Sequence, residues 1–203
     1  GLYAVSQQVI TKMPATNQQP RKRNAEATRQ KIIEAAKFVF TEKGYDRAAT
    51  REIADMAGVN LALINRYFGS KAGLFNDSVA PALVFSEEEY GSRDTLAANL
   101  TALLMNKPEE VGFDPIIAML RSASSEEVGP LLQDALEKGI IQPAAKTLDS
   151  TDGREIASVL MAIIAGYDVL VRMMRLRPYE DPDRKALEKR LKAVFEAAVS
   201  TID

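Results

Sequence analysis

After residue 24, apolar side chains recur at intervals of three and four along nearly the whole chain, the spacing of one buried helix face. Between Ala25 and Lys43 the series is Ile32, Ile33, Ala36, Val39 and Phe40, and Gly44 suits the left-handed residue that follows a helix end. Thr50–Ala57 predicts a short second helix closed by Gly58. Asn60 is a good N-cap for a third over Leu61–Phe68, ended by Gly69-Ser70. A fourth starts near Lys71 and runs towards Phe85, bent at Pro81. Further helices are expected at about 93–106, 114–123 and 126–148, the last interrupted by Pro130 and Pro143. Two long ones follow at about 154–176 and 183–201. There is no alternating β-branched stretch and no Asn-Gly hairpin turn, so strands are not expected. Short loops between helices predict an all-α fold.

Residues 1–24 break the pattern. Gln, Asn, Pro and Thr dominate from Ser6 to Pro20, and Arg21-Lys22-Arg23 follows, which reads as a flexible basic N-terminal arm. Met13-Pro14 resembles a translation start, which would make residues 1–12 leader or added sequence. Charge divides along the same line. Residues 1–85 carry 12 Lys/Arg against 7 Asp/Glu, and residues 86–203 carry 14 against 21, within a formal net charge of −2. A basic N-terminal part on an acidic remainder fits a polyanion-binding module joined to a second domain. The chain has neither cysteine nor histidine, which excludes disulfides, thiolate nucleophiles, Cys/His zinc sites and a Ser-His-Asp triad. No metal site, cofactor or catalytic residue is expected. No run of 18 apolar residues occurs, so a membrane span is not expected either, and the chain reads as a cytoplasmic protein.

The segment 49–68 carries the chemistry. Ile53 and Ala54 would face a core, Ala57 is small enough for close helix crossing, Gly58 allows a sharp turn and Val59 plugs the angle between two helices. That is a helix-turn-helix pattern, in which a short, accessible second helix is held rigidly for insertion into a major groove. The flanks narrow it further. Thr28-Arg29, Ile32-Ile33, Ala35-Ala36, Phe40 and Gly44-Tyr45 lead into Thr50-Arg51-Glu52-Ile53-Ala54 and Ala57-Gly58-Val59. Tyr67-Phe68-Gly69-Ser70-Lys71 and Leu74-Phe75 complete the set. Over about 50 residues this resembles the tetracycline-repressor (TetR) family of bacterial regulators. The resemblance implies a three-helix helix-turn-helix DNA-binding domain over 25–85 and a helical effector-binding and dimerisation domain over 86–203. Two positions depart from the family. Ala49 stands where a capping Ser or Thr is common, and Asn65 where Tyr is common, which changes the base-reading surface.

Residue roles follow from chemistry and position. Thr50 and Arg51 open the second helix, where a hydroxyl, a guanidinium and unpaired N–H groups meet phosphate oxygens; the alternative for Arg51 is an ion pair with Asp55. Asn60, Leu61 and Ala62 lie at the start of the third helix. Leu61, Ala62, Asn65 and Arg66 project outward. Asn pairs bidentately with adenine, Arg with guanine, and small apolar groups meet thymine methyls, so Asn65 and Arg66 are the expected base readers. The resemblance makes Tyr67 and Lys71 backbone contacts, and Arg21, Lys22, Arg23 and Arg29 lie where a basic arm would follow phosphates.

In the remainder, Ile156–Leu176 is apolar nearly all round and needs cover on every side. With the last helix it would form half of an intersubunit bundle, which is also how the family dimerises, through Val159, Ile163, Leu170, Leu187, Leu191, Val194 and Phe195. The resemblance also implies a small-molecule pocket, for which Phe113, Met119, Leu120, Met161, Tyr167 and Asp168 are candidates; Asp168 can instead pair with Arg172. The expected protein is a homodimeric, effector-released repressor on a palindromic double-stranded operator. The alternatives are an all-helical ligand- or protein-binding module that does not use DNA, and an enzyme built on Glu87–Glu89 or Glu109-Glu110.

Overall fold

The computed structural model describes residues 18–106, 112–176 and 181–200, and the regular structure among them is helical. Helix α1, Gln18–Arg47, begins seven residues before the apolar periodicity does. Gln, Arg and Lys have good helix propensity, and Pro20 falls in the first turn, where a missing N–H breaks no intrahelical bond. Residues 18–24, expected as flexible arm, are therefore helix, while residues 1–17 lie outside the described residues. The helix kinks at Gly44, whose φ of 71° is costly for any residue with a Cβ. A Cβ there would also stand 2.4 Å from the Arg121 carbonyl oxygen, so this glycine lets a later helix cross α1 closely.

Helices α2, Thr50–Ala57, and α3, Ala62–Phe68, follow. Helix α4, Lys71–Ser78, stops well short of Phe85. A 3-10 turn, Ala80–Ala82, replaces its expected continuation, because Pro81 has no N–H to donate and its ring clashes with a preceding turn. The first four helices close over Phe40, Tyr45 and Phe75, with Phe40 and Tyr45 each edge-on to Phe75 at centroid distances of 4.9 and 5.4 Å.

The short α5, Glu87–Tyr90, leads into α6, Arg93–Met105, and α7, Pro115–Ser122. Helices α8, Gly129–Leu136, and α9, Gln142–Leu148, are joined through a π turn, Glu137–Ile141; Pro130 and Pro143 each sit in a first turn, where they are tolerated. Helix α10, Gly153–Tyr167, passes into a second π turn, Asp168–Met173, and α11 is Asp181–Val199. Helix α1 packs chiefly on α7, α6 pairs with α11, and α10 lies on α9 and α11.

One expectation changes at α10. Gly153–Met173 is long and apolar enough by length and hydropathy to cross a membrane, although no uninterrupted apolar run gives it away. It packs on α9 and α11, and the Asp168–Arg172 ion pair lies at its C-terminal end.

Candidate nucleic-acid interface

Ile53 and Ala54 of α2 are buried where it packs on α1, and Ile64 and Phe68 of α3 are buried where it packs beside α4. Complete burial of each Ile is worth about 1.5–3 kcal/mol, enough to hold two short helices that are unstable alone. Gly58, at φ 66°, closes α2, and the Val59 N–H returns to the Ala54 carbonyl at 3.0 Å. The Ala49 departure is real in structure: it occupies the N-cap of α2 with no side-chain cap. Glu52, in the first turn of α2, pairs with Lys43 of α1 at 2.7 Å.

Ala62, Asn65 and Arg66 are exposed along one side of α3, with Arg51 exposed on α2 and Thr50 half-buried beside it. Lys22 and Arg23 are exposed on the first turns of α1; Arg21 lies in the same turns. Asn60 is exposed too, but its Oδ1 accepts from the Ala62 N–H at 2.8 Å, so its amide serves as the cap of α3. Leu61 does not project outward. It precedes the helix and is half-buried against the core, as a branched apolar side chain beside a hydrophobic crossing should be. Tyr67 is half-buried, its ring edge-on to Phe68 at 6.4 Å.

Two basic residues are engaged by the fold itself. Arg29 donates to Asp77 of α4 at 2.6 Å and stands over the Phe68 ring at 5.1 Å, linking three helices. Lys71, at the first turn of α4, places Nζ 4.4 Å from the centroid of Tyr45. Burial, reinforced by the Glu127 carboxylate, holds the Tyr45 phenol well above its ordinary range, so Lys71 faces a neutral ring in a cation–π contact. Asp77 lies 48 residues from Arg29, and no local pattern announces such a partner.

The expected ligand positions differ in burial. Met119, Met161 and Asp168 are buried, and Phe113, Leu120 and Tyr167 are half-buried. Asp168 pairs with Arg172 at 3.3 Å. An open groove of about 720 Å³ lies elsewhere, between α1 and α2, lined by Ala27, Lys31, Glu34, Phe38 and Met56 among others. The expected dimer seam also divides. Val159, Leu170 and Val194 are about half exposed and Ile163 and Leu187 partly so, but Leu191 and Phe195 are buried within the chain. The α11 stripe is thus not a single free face, because α11 packs on α6. Of the two acidic clusters, Glu89 caps α5 by accepting from the Ser86 N–H at 2.6 Å, and Glu109-Glu110 lie outside the described residues.

Comparison with known proteins agrees with this architecture. Residues 32–77 match the family described as "Bacterial regulatory proteins, tetR family", and residues 94–199 match "Tetracyclin repressor-like, C-terminal domain". The chain is 39% identical over 75 residues to the "Probable HTH-type transcriptional regulator YttP" of Bacillus subtilis (strain 168), covering 37% of this chain and 35% of that protein. It is 43% identical over 47 residues to the "HTH-type transcriptional repressor BdcR" of Escherichia coli (strain K12), covering 23% of this chain and 24% of that protein. The matches thus span about a third and a quarter of these curated relatives. Among solved structures, NalD of Pseudomonas aeruginosa, the secondary repressor of the MexAB-OprM multidrug efflux pump, superposes with a TM-score of 0.62 at 22% identity, over 86% of this chain and 97% of NalD. A TetR-family regulator from Mesorhizobium loti MAFF303099 follows with a TM-score of 0.52 at 17% identity, over 86% of this chain and 94% of that one. At such identities these likenesses show the fold alone. With a matched helix-turn-helix domain and a matched C-terminal domain that alone spans half the chain, the protein belongs to the TetR family of bacterial transcriptional regulators.

Proposed function

We propose that the chain is a homodimeric repressor that holds a palindromic double-stranded operator with two α3 helices and releases it when a small molecule binds the C-terminal layer. The observation that carries this is the exposed row of Ala62, Asn65 and Arg66 on a helix whose opposite side is sealed by Ile64 and Phe68. A rigid, short, outward helix with a bidentate amide and a bidentate guanidinium fits major-groove reading. Arg51, Lys22 and Arg23 add positive charge on the same domain for phosphate contact. One such helix reads too few base pairs for useful specificity, and a twofold dimer doubles the site. Val159, Leu170 and Val194, half exposed on α10, its π turn and α11, supply an apolar face for that dimer. The protein acts in the cytoplasm, where its DNA lies. Binding to duplex DNA measured from low to moderate salt tests the reading: affinity should fall linearly in log–log form. No duplex binding at low salt would reject it in favour of a helical module that does not use DNA.

A further inference from the structure

Where α1, α7 and the π-wound end of α10 cross, a cluster of charged side chains sits inside the molecule, remote in role from the DNA-reading row. Arg172 donates through Nη1 to Asp114 at 2.5 Å and to Asp168 at 3.3 Å. Asp168 is fully buried, and the side chains of Arg172 and Asp114 retain only 10% and 12% exposure. Burial opposes the Arg172 charge, but the hydrogen bond and charge of Asp114, followed by those of Asp168, outweigh it, so the guanidinium stays protonated.

Asp114 touches all three elements. Its Oδ1 caps α7 by accepting from the N–H groups of Ile116 and Ile117 at 2.9 and 3.1 Å. Its backbone N–H donates to the Thr41 hydroxyl of α1 at 3.3 Å, and that hydroxyl donates on to the Lys37 carbonyl at 2.8 Å. At the far end of α7, the Ser122 hydroxyl accepts from the Tyr45 N–H at 2.9 Å, and Arg121 donates to the Glu42 carbonyl. Helix α7 is thus fixed to α1 at both ends, and Arg172 joins α10 to that pair. The Asp168–Met173 segment is π-wound, with the Met174 N–H reaching the Val169 carbonyl at 2.9 Å. Such turns are rare and recur where helices have a functional irregularity.

We infer that the Arg172–Asp114 pair is a positioning latch, through which the place of α10 sets the angle at which α7 and α1 hold the DNA-binding helices. The duplicated carboxylate is what allows it to open. Asp168 lies four residues before Arg172 on the same turn and moves with it, so release from Asp114 does not strand a buried guanidinium. Asp114, once released, still accepts its two capping N–H groups. The latch rests on the proposed regulatory reading, since it needs a DNA-binding domain to steer.

The two carboxylates give a test that plain core burial would not pass. Either Asp→Asn change leaves Arg172 one carboxylate, but only Asp114→Asn disconnects α10 from α7, and asparagine keeps the cap. The chain has no cysteine, so spin labels at Asp55→Cys on α2 and Lys146→Cys on α9, both exposed, report the distance between the two layers. Labelled full-length protein is diluted with unlabelled protein so that distances arise within one chain. A single narrow distribution is expected for the parent and for Asp168→Asn, and a shifted or broadened one for Asp114→Asn. Affinity for a duplex selected by the parent from a random pool should fall about 5-fold or more for Asp114→Asn, and stay within about 2-fold for Asp168→Asn. Parent-like behaviour of Asp114→Asn, or equal changes in both variants, would overturn the latch. If Asp114→Asn loses its helical circular dichroism, the double variant Asp168→Asn with Arg172→Met decides instead: it removes the ion pair, keeps the Asp114 cap of α7 and should broaden the distribution, and an unchanged distribution would overturn the inference. A parent that selects no duplex would reject the regulatory reading, while the distance measurement would still decide the latch.

Discussion

Asn65 and Arg66 bear the donor and acceptor sets that match adenine and guanine edges, and both are exposed on α3. Asn65→Ala and Arg66→Ala should each cost about 1–3 kcal/mol against the preferred base and relax choice at one position of the site. Selection with each variant, compared with the parent, checks this; identical profiles would remove both residues from base reading. At this scale the sequence is informative about face and silent about partners. The alternation of Ile64 and Phe68 with Asn65 and Arg66 tells inside from outside, because helical period alone decides it. Arg29 is different. Position alone gives no hint of its contacts with Asp77 and the Phe68 ring, which only the tertiary fold brings within reach. Gly44 shows the same limit: its role as a helix end was legible, its contact with the Arg121 carbonyl was not.

Element ends are legible in the sequence where they carry local signals. Gly58, Ser92 and Asp114 stop or start α2, α6 and α7 within a residue or so of the periodic pattern. The misses share a cause, which is that apolar period marks the buried stretch of a helix and not its full length. Helix α1 runs past its apolar stripe as a polar extension, and α10 ends early because its last turn winds as π while its side chains stay apolar. The extension of α1 gives a prediction. Lys22 and Arg23 are exposed on a helix, not on a loose tail, so Lys22→Ala with Arg23→Ala should leave the melting temperature unchanged. If both reach phosphates, the plot of log affinity against log salt should flatten by about 0.9 for each. An unchanged slope would make this turn a bystander, and a lower melting temperature would mean that it packs against the domain.

On the scale of the whole molecule, α11 divides into a buried and an exposed apolar side. Leu191 and Phe195 face α6 and the core, whereas Val194 is 48% exposed and Val159 on α10 is 52% exposed. Charge at Val194 should therefore dissociate a dimer and leave the helical signal intact, while charge at Leu191 should cost several kcal/mol of folding stability by burying an unpaired ion. Sedimentation of Val194→Glu, with circular dichroism as control, distinguishes the two; an unchanged dimer would move the interface off this face. The two-layer, all-helical organisation was legible because helix period and short loops suffice for it. A ligand pocket is not legible in this way, since apolar side chains that line a cavity and those that fill a core have the same pattern.

The central claim is that two copies of α3 read one symmetric site. Selection of duplexes from a random pool by the full-length protein, followed by footprinting of the winners, tests it directly. The account predicts an inverted repeat whose half-sites are centred about 34–36 Å apart, or a multiple of that, each protected on the same face of the duplex. Enrichment of a single unrepeated half-site, or no enrichment beyond salt-sensitive binding to every sequence, would contradict it.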